Sequence, residues 1–208
     1  GSGRSTKISP KKNQDPCLRL ISRVCLPCQP RPAFCARGFS STGALSSKVT
    51  LKDITILDAP GGLAFSPNGN HMYALGRKSD TIVLFDRNAG TGVLTNPVTI
   101  KDSNNLEQPM NIVVSPDGKN VYVSCYDSDS IVSFDRNAGT GALSGLVVIQ
   151  DKEHLDGARG LAISPDGEEV IVVSFISDSL VSFNRNAATG ALAYQVLIKD
   201  LTNFDGMF

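Results

Sequence analysis

The sequence predicts an all-β fold, a partial β-propeller of about three four-stranded antiparallel blades with a lone N-terminal outer strand. Three observations carry the prediction. Two separate markers recur at a common spacing of about 49 residues. The segments between them are short, alternating or β-branched runs bounded by turn residues. No stretch keeps the 3.6-residue apolar period of an amphipathic helix.

The first marker, Ser66-Pro67-Asn68-Gly69, returns as Ser115-Pro116-Asp117-Gly118 and as Ser164-Pro165-Asp166-Gly167. The second, Phe85 to Gly92, returns as Phe134 to Gly141 and, slightly changed, as Phe183 to Gly190. Within one unit, Leu63 to Phe65 run into the Ser-Pro-Asn-Gly turn, where Pro presets φ and Gly takes the positive φ that closes a hairpin. Met72 to Leu75 form the next strand, and Arg77 to Asp80 a polar turn. Thr81 to Asp86 supply a β-branched and aromatic third strand. After a turn at Asn88 to Gly92, Val93 to Ile100 read as an outer strand with Leu94, Val98 and Ile100 on one face. The blades are expected at about 54–102, 103–151 and 152–200.

The phase extends backwards. Thr42 to Leu45 match Thr140 to Leu143, and Asp53 falls in register with Asp102, Asp151 and Asp200, so Thr42 to Lys52 read as the lone outer strand of residues 41–208. Such a strand closes many propellers, but three blades fall short of the usual four to eight. Nothing in Phe204 to Phe208 resembles a finishing strand, and the expectation is therefore a piece of a longer propeller.

The formal net charge of zero hides an asymmetry. Gly1 to Lys48 hold nine Lys and Arg against one acid, Asp15, which leaves 11 basic and 19 acidic residues in the body. An acidic body lacks the basic stripe that tracks phosphates, so no nucleic-acid partner is expected. With no run near the ~18–20 apolar residues that span a bilayer, no membrane partner is expected either. Residues 1–40 are acid-poor and rich in Arg, Ser and Pro, which predicts a disordered, transit-like tail; Arg37 to Ser40 resemble the end of a mitochondrial presequence, while Pro27, Pro30 and Pro32 work against an amphipathic helix. Cys17, Cys25, Cys28 and Cys35 lie in this tail, and their single CxxC pair, Cys25 with Cys28, is weak evidence for zinc. Cys125 reads as a small core residue.

The run Val113-Val114-Ser115-Pro116-Asp117-Gly118-Lys119-Asn120-Val121-Tyr122-Val123 resembles the YVTN-type repeat, and Ser130 to Leu143 resembles the lactonase-like seven-bladed propeller family. The likeness covers Thr42 to Phe208. It implies seven blades, hence about 340 residues of repeat. These repeats occur in sugar-lactone hydrolases, in muconate-cyclase-like proteins and in surface or binding proteins with no known chemistry, so the activity stays open.

Repetition separates scaffold from site, because a residue found in every blade answers a need that every blade has. Asp80, Asp129 and Asp178 are expected to cap turn N–H groups, and Arg87, Arg136 and Arg185 to pair with carboxylates or carbonyls between blades. A ligand site uses residues that vary. The loops expected on one face, around the channel mouth, carry Arg77 and Lys78 in the first unit, Asn111, Tyr126 and Asp127 in the second, and His154, Arg159 and Ser177 in the third. One reading has Arg77, Asn111 and Arg159, flanked by Tyr126 and Asp127, hold an anionic or carbonyl-bearing ligand; the other leaves them as solvated loop residues. His154 is a candidate base, or an exposed histidine beside Glu153 and Asp156.

No catalytic set is fixed by spacing. The sequence has no Ser nucleophile elbow, P-loop or dinucleotide fingerprint, and Asp127 and Asp129 lack the glycine and terminal Glu of an EF-hand, so neither cofactor nor metal is expected. The first functional expectation is a scaffold that binds a small ligand or a protein through variable loops. The second is a lactone hydrolase in the closed, full-length propeller. Self-association of partial rings through open blade edges is a third.

Overall fold

The structure, a computed structural model, describes residues 55–199, and side chains to 194. The basic tail, its cysteines and the strand expected at Thr42 to Lys52 lie outside the described residues.

The period becomes three antiparallel sheets of four strands each, with neighbours in chain order. The first contains β1 (Pro60–Phe65), β2 (His71–Gly76), β3 (Thr81–Arg87) and β4 (Leu94–Lys101). The second contains β5 (Pro109–Val114), β6 (Asn120–Cys125), β7 (Ser130–Arg136) and β8 (Leu143–Gln150). The third contains β9 (Ala158–Ile163), β10 (Glu169–Ser174), β11 (Ser179–Arg185) and β12 (Leu192–Lys199). The first strands, β1, β5 and β9, lie beside one another, which makes them the inner strands of an arc of propeller blades.

The hairpins close as the turn chemistry dictates. Ser66 Oγ reaches Asn68 Oδ1 at 2.7 Å and accepts the His71 N–H at 3.0 Å, while Gly69 takes a φ of 71° and donates its N–H to the Ser66 carbonyl. Ser115 and Ser164 repeat the arrangement. The Asn88 carboxamide accepts the N–H groups of Gly90 and Thr91 in the next turn. The outer strand departs from expectation at one point. Asn96 has a φ of 51° and the β3–β4 register slips between Leu84 and Asp86, a bulge that places Leu94 opposite Arg87 and Val98 opposite Leu84. Leu94 therefore shares the Val83 face, away from Val98 and Ile100, because an extra residue inverts the alternation.

Each sheet buries one face against the next. Tyr73, Leu75, Ile82 and Leu84 of the first meet Ile112, Val121, Val123 and Phe134 of the second. Tyr122 and Ile131 of the second meet Leu161, Val170, Val172 and Phe183 of the third. Cys125 is fully buried in the first of these cores, and burial pushes its thiol up to about 12.

An arginine clasp secures each junction. Arg136 donates from Nε to Tyr73 Oη at 2.6 Å, from Nη1 to the Gly118 carbonyl at 2.8 Å and from Nη2 to His71 Nδ1 at 2.8 Å. Arg185 repeats this on Tyr122 Oη and the Gly167 carbonyl, with Asp117 and Asn120 accepting from Nη2. The tyrosine hydroxyls pass the chain on to the carbonyls of Gly141 and Gly190. Gly190 has to be glycine: its φ is +73°, and a Cβ there would sit 2.1 Å from the Asn120 carboxamide. Asp80 and Asp129 do cap N–H groups, but across the sheets. Their carboxylates accept from Gln108 and Gly157, the residues that lead into the following inner strands.

Candidate functional site

The geometry at the loop end of the inner strands follows from one repeated hydrogen bond. The residue after each second strand donates its N–H to the carbonyl just before the inner strand: Arg77 to Ala59, Tyr126 to Gln108 and Phe175 to Gly157. The two kinds of loop therefore share a face. Beside these residues stand the second positions of the inner strands, Gly61, Met110 and Arg159.

A cavity of about 240 Å³ opens among Arg77, Gln108, Met110, Tyr126, Arg159 and Phe175. Three of the residues singled out from sequence, Arg77, Tyr126 and Arg159, meet in it. Gly61 makes room for the first, since a Cβ at that position would lie 2.9 Å from Arg77 Cγ. Arg77 donates from Nη2 to Gln108 Oε1 at 3.3 Å, and its Nε, shut off from solvent, has no hydrogen-bond partner among the described residues. An unpaired buried N–H is uncommon. The Arg159 guanidinium stands 5.6 Å from the Phe175 ring centroid, a cation–π distance. Among the described residues neither arginine forms an ion pair within 4.0 Å.

The other candidates go elsewhere. Asn111 is spent on the scaffold: its Nδ2 donates to the Leu161 carbonyl of the next inner strand, and its Oδ1 accepts the Ile112 N–H. Asp127 accepts a 2.6 Å bond from Gln108 Nε2 and is not among the cavity-lining residues. His154 sits at the outer rim, where Nδ1 lies 2.8 Å from Asp151 Oδ2 and the ring is 6.2 Å from that of Tyr194 on β12. It replaces Asn105, which bonds to Asp102 in the same way one blade earlier, so His154 finishes a turn. Ser177 donates to the His154 carbonyl. Lys78 is exposed beyond the cavity lining.

Sequence reasoning missed Gln108, Met110 and Phe175 as lining residues. A signal existed, because Phe175 and Tyr126 hold the repeat position of Arg77, and Met110 that of Arg159. Among the described residues no group of three or more His, Cys, Asp or Glu side chains could hold a metal ion. The lining offers two cations, a phenol and a carboxamide, a set that binds negative charge and polarised carbonyl oxygens.

The model of the family described as lactonase, 7-bladed beta-propeller, matches residues 44–110 and 97–197. Solved structures share the fold. The periplasmic gluconolactonase of Pseudomonas aeruginosa is 25% identical with a TM-score of 0.58, over 67% of this chain and 39% of that one. A candidate 6-phosphogluconolactonase of Bacteroides fragilis is 25% identical with a TM-score of 0.58, over 68% and 39%. A Lactobacillus plantarum protein is 24% identical with a TM-score of 0.60, over 72% and 43%. The chain thus spans about two fifths of the length of these structures. No curated protein matches it in sequence.

Proposed function

Because this chain belongs to the lactonase family of seven-bladed β-propellers, we propose that its cavity binds the anionic end of a small sugar-acid lactone, as part of lactone hydrolysis by the complete propeller. The observation that carries the reading is the convergence of Arg77 and Arg159, from the first and third blades, on one cavity without carboxylate partners among the described residues.

Hydrolysis adds water to the lactone carbonyl, collapses the tetrahedral oxyanion and breaks the ring C–O bond, so the products are a hydroxyl and a carboxylate. A guanidinium stabilises the oxyanion and then the carboxylate, and holds a phosphate or carboxylate elsewhere on the sugar. A base must also take a proton from water. The described lining contains neither a carboxylate nor an imidazole, so in this reading the base comes from outside that lining. That same composition favours a second reading, a module that binds the sugar acid or a protein without chemistry.

Titration calorimetry with 6-phosphogluconate tests binding, and hydrolysis of the corresponding lactone by the full-length protein separates the two readings. Arg77→Met and Arg159→Met are each expected to weaken binding by about tenfold or more, the value of one lost charge-assisted hydrogen bond. Binding that both variants leave intact would remove the cavity from the reading.

A further inference from the structure

Gln108 lies between a cation and an anion. Its Oε1 accepts from Arg77 Nη2 at 3.3 Å, and its Nε2 donates to Asp127 Oδ2 at 2.6 Å. A guanidinium can only donate and a carboxylate only accept, so the orientation of the carboxamide is set by its partners. The backbone of Gln108 is pinned as well: its φ is 51°, the Asp80 carboxylate accepts its N–H, and its carbonyl accepts from Tyr126.

The arrangement occurs once among the described blades. At the repeat positions of Gln108 stand Ala59 and Gly157, at those of Asp127 stand Lys78 and Ile176, and at those of Arg77 stand Tyr126 and Phe175. A need shared by every blade would not be met in one alone, so the triplet Arg77, Gln108 and Asp127 answers to the cavity. Its chemistry says how. Arg77 and Asp127 both reach Gln108, and if they met directly they would form an ion pair that cancels one of the two charges facing the cavity. The carboxamide holds them apart, bonds to both and carries no charge.

We propose that Gln108 is a positioning and specificity-determining residue, a neutral spacer that keeps Arg77 unpaired so that the cavity prefers a phosphate-bearing sugar acid over a singly charged carboxylate. The proposal rests on the anion-binding reading of the same cavity. Two unneutralised guanidinium groups offer a dianion twice the attraction they offer a monoanion, while Gln108→Glu would turn the 3.3 Å contact into an ion pair.

The test has two readouts, one of which needs no ligand. Phenylglyoxal modifies accessible, unpaired arginines, and its rate at Arg77 is read by peptide mass spectrometry. In Gln108→Glu that rate is expected to fall several-fold, and the preference for 6-phosphogluconate over gluconate in calorimetry to fall by about tenfold. Gln108→Ala, which lets Asp127 approach Arg77, is expected to do the same, and adding Asp127→Asn to restore both readouts. A purely structural role would lower the thermal midpoint without moving the ratio of the two affinities. An unchanged Arg77 modification rate in both Gln108 variants overturns the spacer. Failure of the wild-type protein to bind either acid overturns the anion-binding reading, and with it the preference, whatever the modification rates show.

Discussion

Replacing Arg136 by methionine tests the claim that guanidinium clasps, and not apolar packing alone, hold the blades together. The residue is 6% exposed and spends three nitrogens on Tyr73 Oη, the Gly118 carbonyl and His71 Nδ1, at 2.6 to 2.8 Å. Methionine keeps the hydrocarbon stem, so the packing contribution changes little. The polar loss is larger: the Gly118 carbonyl and His71 Nδ1 lose a buried partner, while Tyr73 Oη keeps its bond to the Gly141 carbonyl. Hydrogen bonds to a charged group are worth ~1.5–3 kcal/mol each, and leaving two buried neutral acceptors unpaired costs ~2–6 kcal/mol in all. With an m-value near 2 kcal/mol/M, that lowers the urea midpoint, followed by far-UV circular dichroism, by about 2 M. A loss under about 1 kcal/mol would refute the reasoning and assign the junction to the Tyr73, Leu75 and Val121 core.

The same junction predicts acid sensitivity. Arg136 can only donate, so His71 accepts at Nδ1 and must be neutral there; burial first and the Arg136 charge second depress its pKa, against a raising pull from Asp86 at 3.9 Å. A histidine depressed in the folded state stabilises above its unfolded value of 6.5 and loses that contribution as pH falls below it, so the thermal midpoint is expected to drop on acidification past 6.5, and His71→Asn, which copies Asn120, to remove that step. A midpoint flat through this range in the wild type would contradict it. At the next junction burial tends to raise the Asp117 carboxyl, but bonds from Ser115 and Arg185 bring it down from 3.8 to about 2. Its stabilisation is therefore present above pH 3.8 and lost towards 2, and Asp117→Asn is expected to flatten the acid limb of the unfolding curve there; an unchanged limb would show that Arg185 draws nothing from it. Cys125, fully buried with its thiol at about 12, is expected to resist iodoacetamide at pH 8 until the protein unfolds, and rapid native labelling would contradict its place in the core.

Much of the fold was legible because its causes are local. Ser66 with Gly69, and Asn88 with Gly92, close turns through atoms a few residues apart, and both markers repeat at one spacing. Leu94 was misplaced for the opposite reason. A bulge at Asn96 leaves no mark in the apolar pattern, yet it turns the strand over. The arginine clasps were half legible: repetition marked Arg136 and Arg185 as structural, but nothing in the sequence said that their partners would be Tyr73 with His71 and Tyr122 with Asp117.

The site divides in the same way. Variation between repeats picked out Arg77, Tyr126 and Arg159, and it equally picked out Asn111 and His154, whose side chains the tertiary structure spends on Leu161 and Asp151. Gln108 varies too, against Ala59 and Gly157, but variation could not show its role, which exists only between Arg77 and Asp127 from different blades. From its own order of residues this chain determined its period, its turns and its family, because hydrogen bonds within a turn are written in adjacent letters. Which variable side chains face a common cavity was decided only when the blades stacked, because that depends on rotation about an axis no single repeat contains.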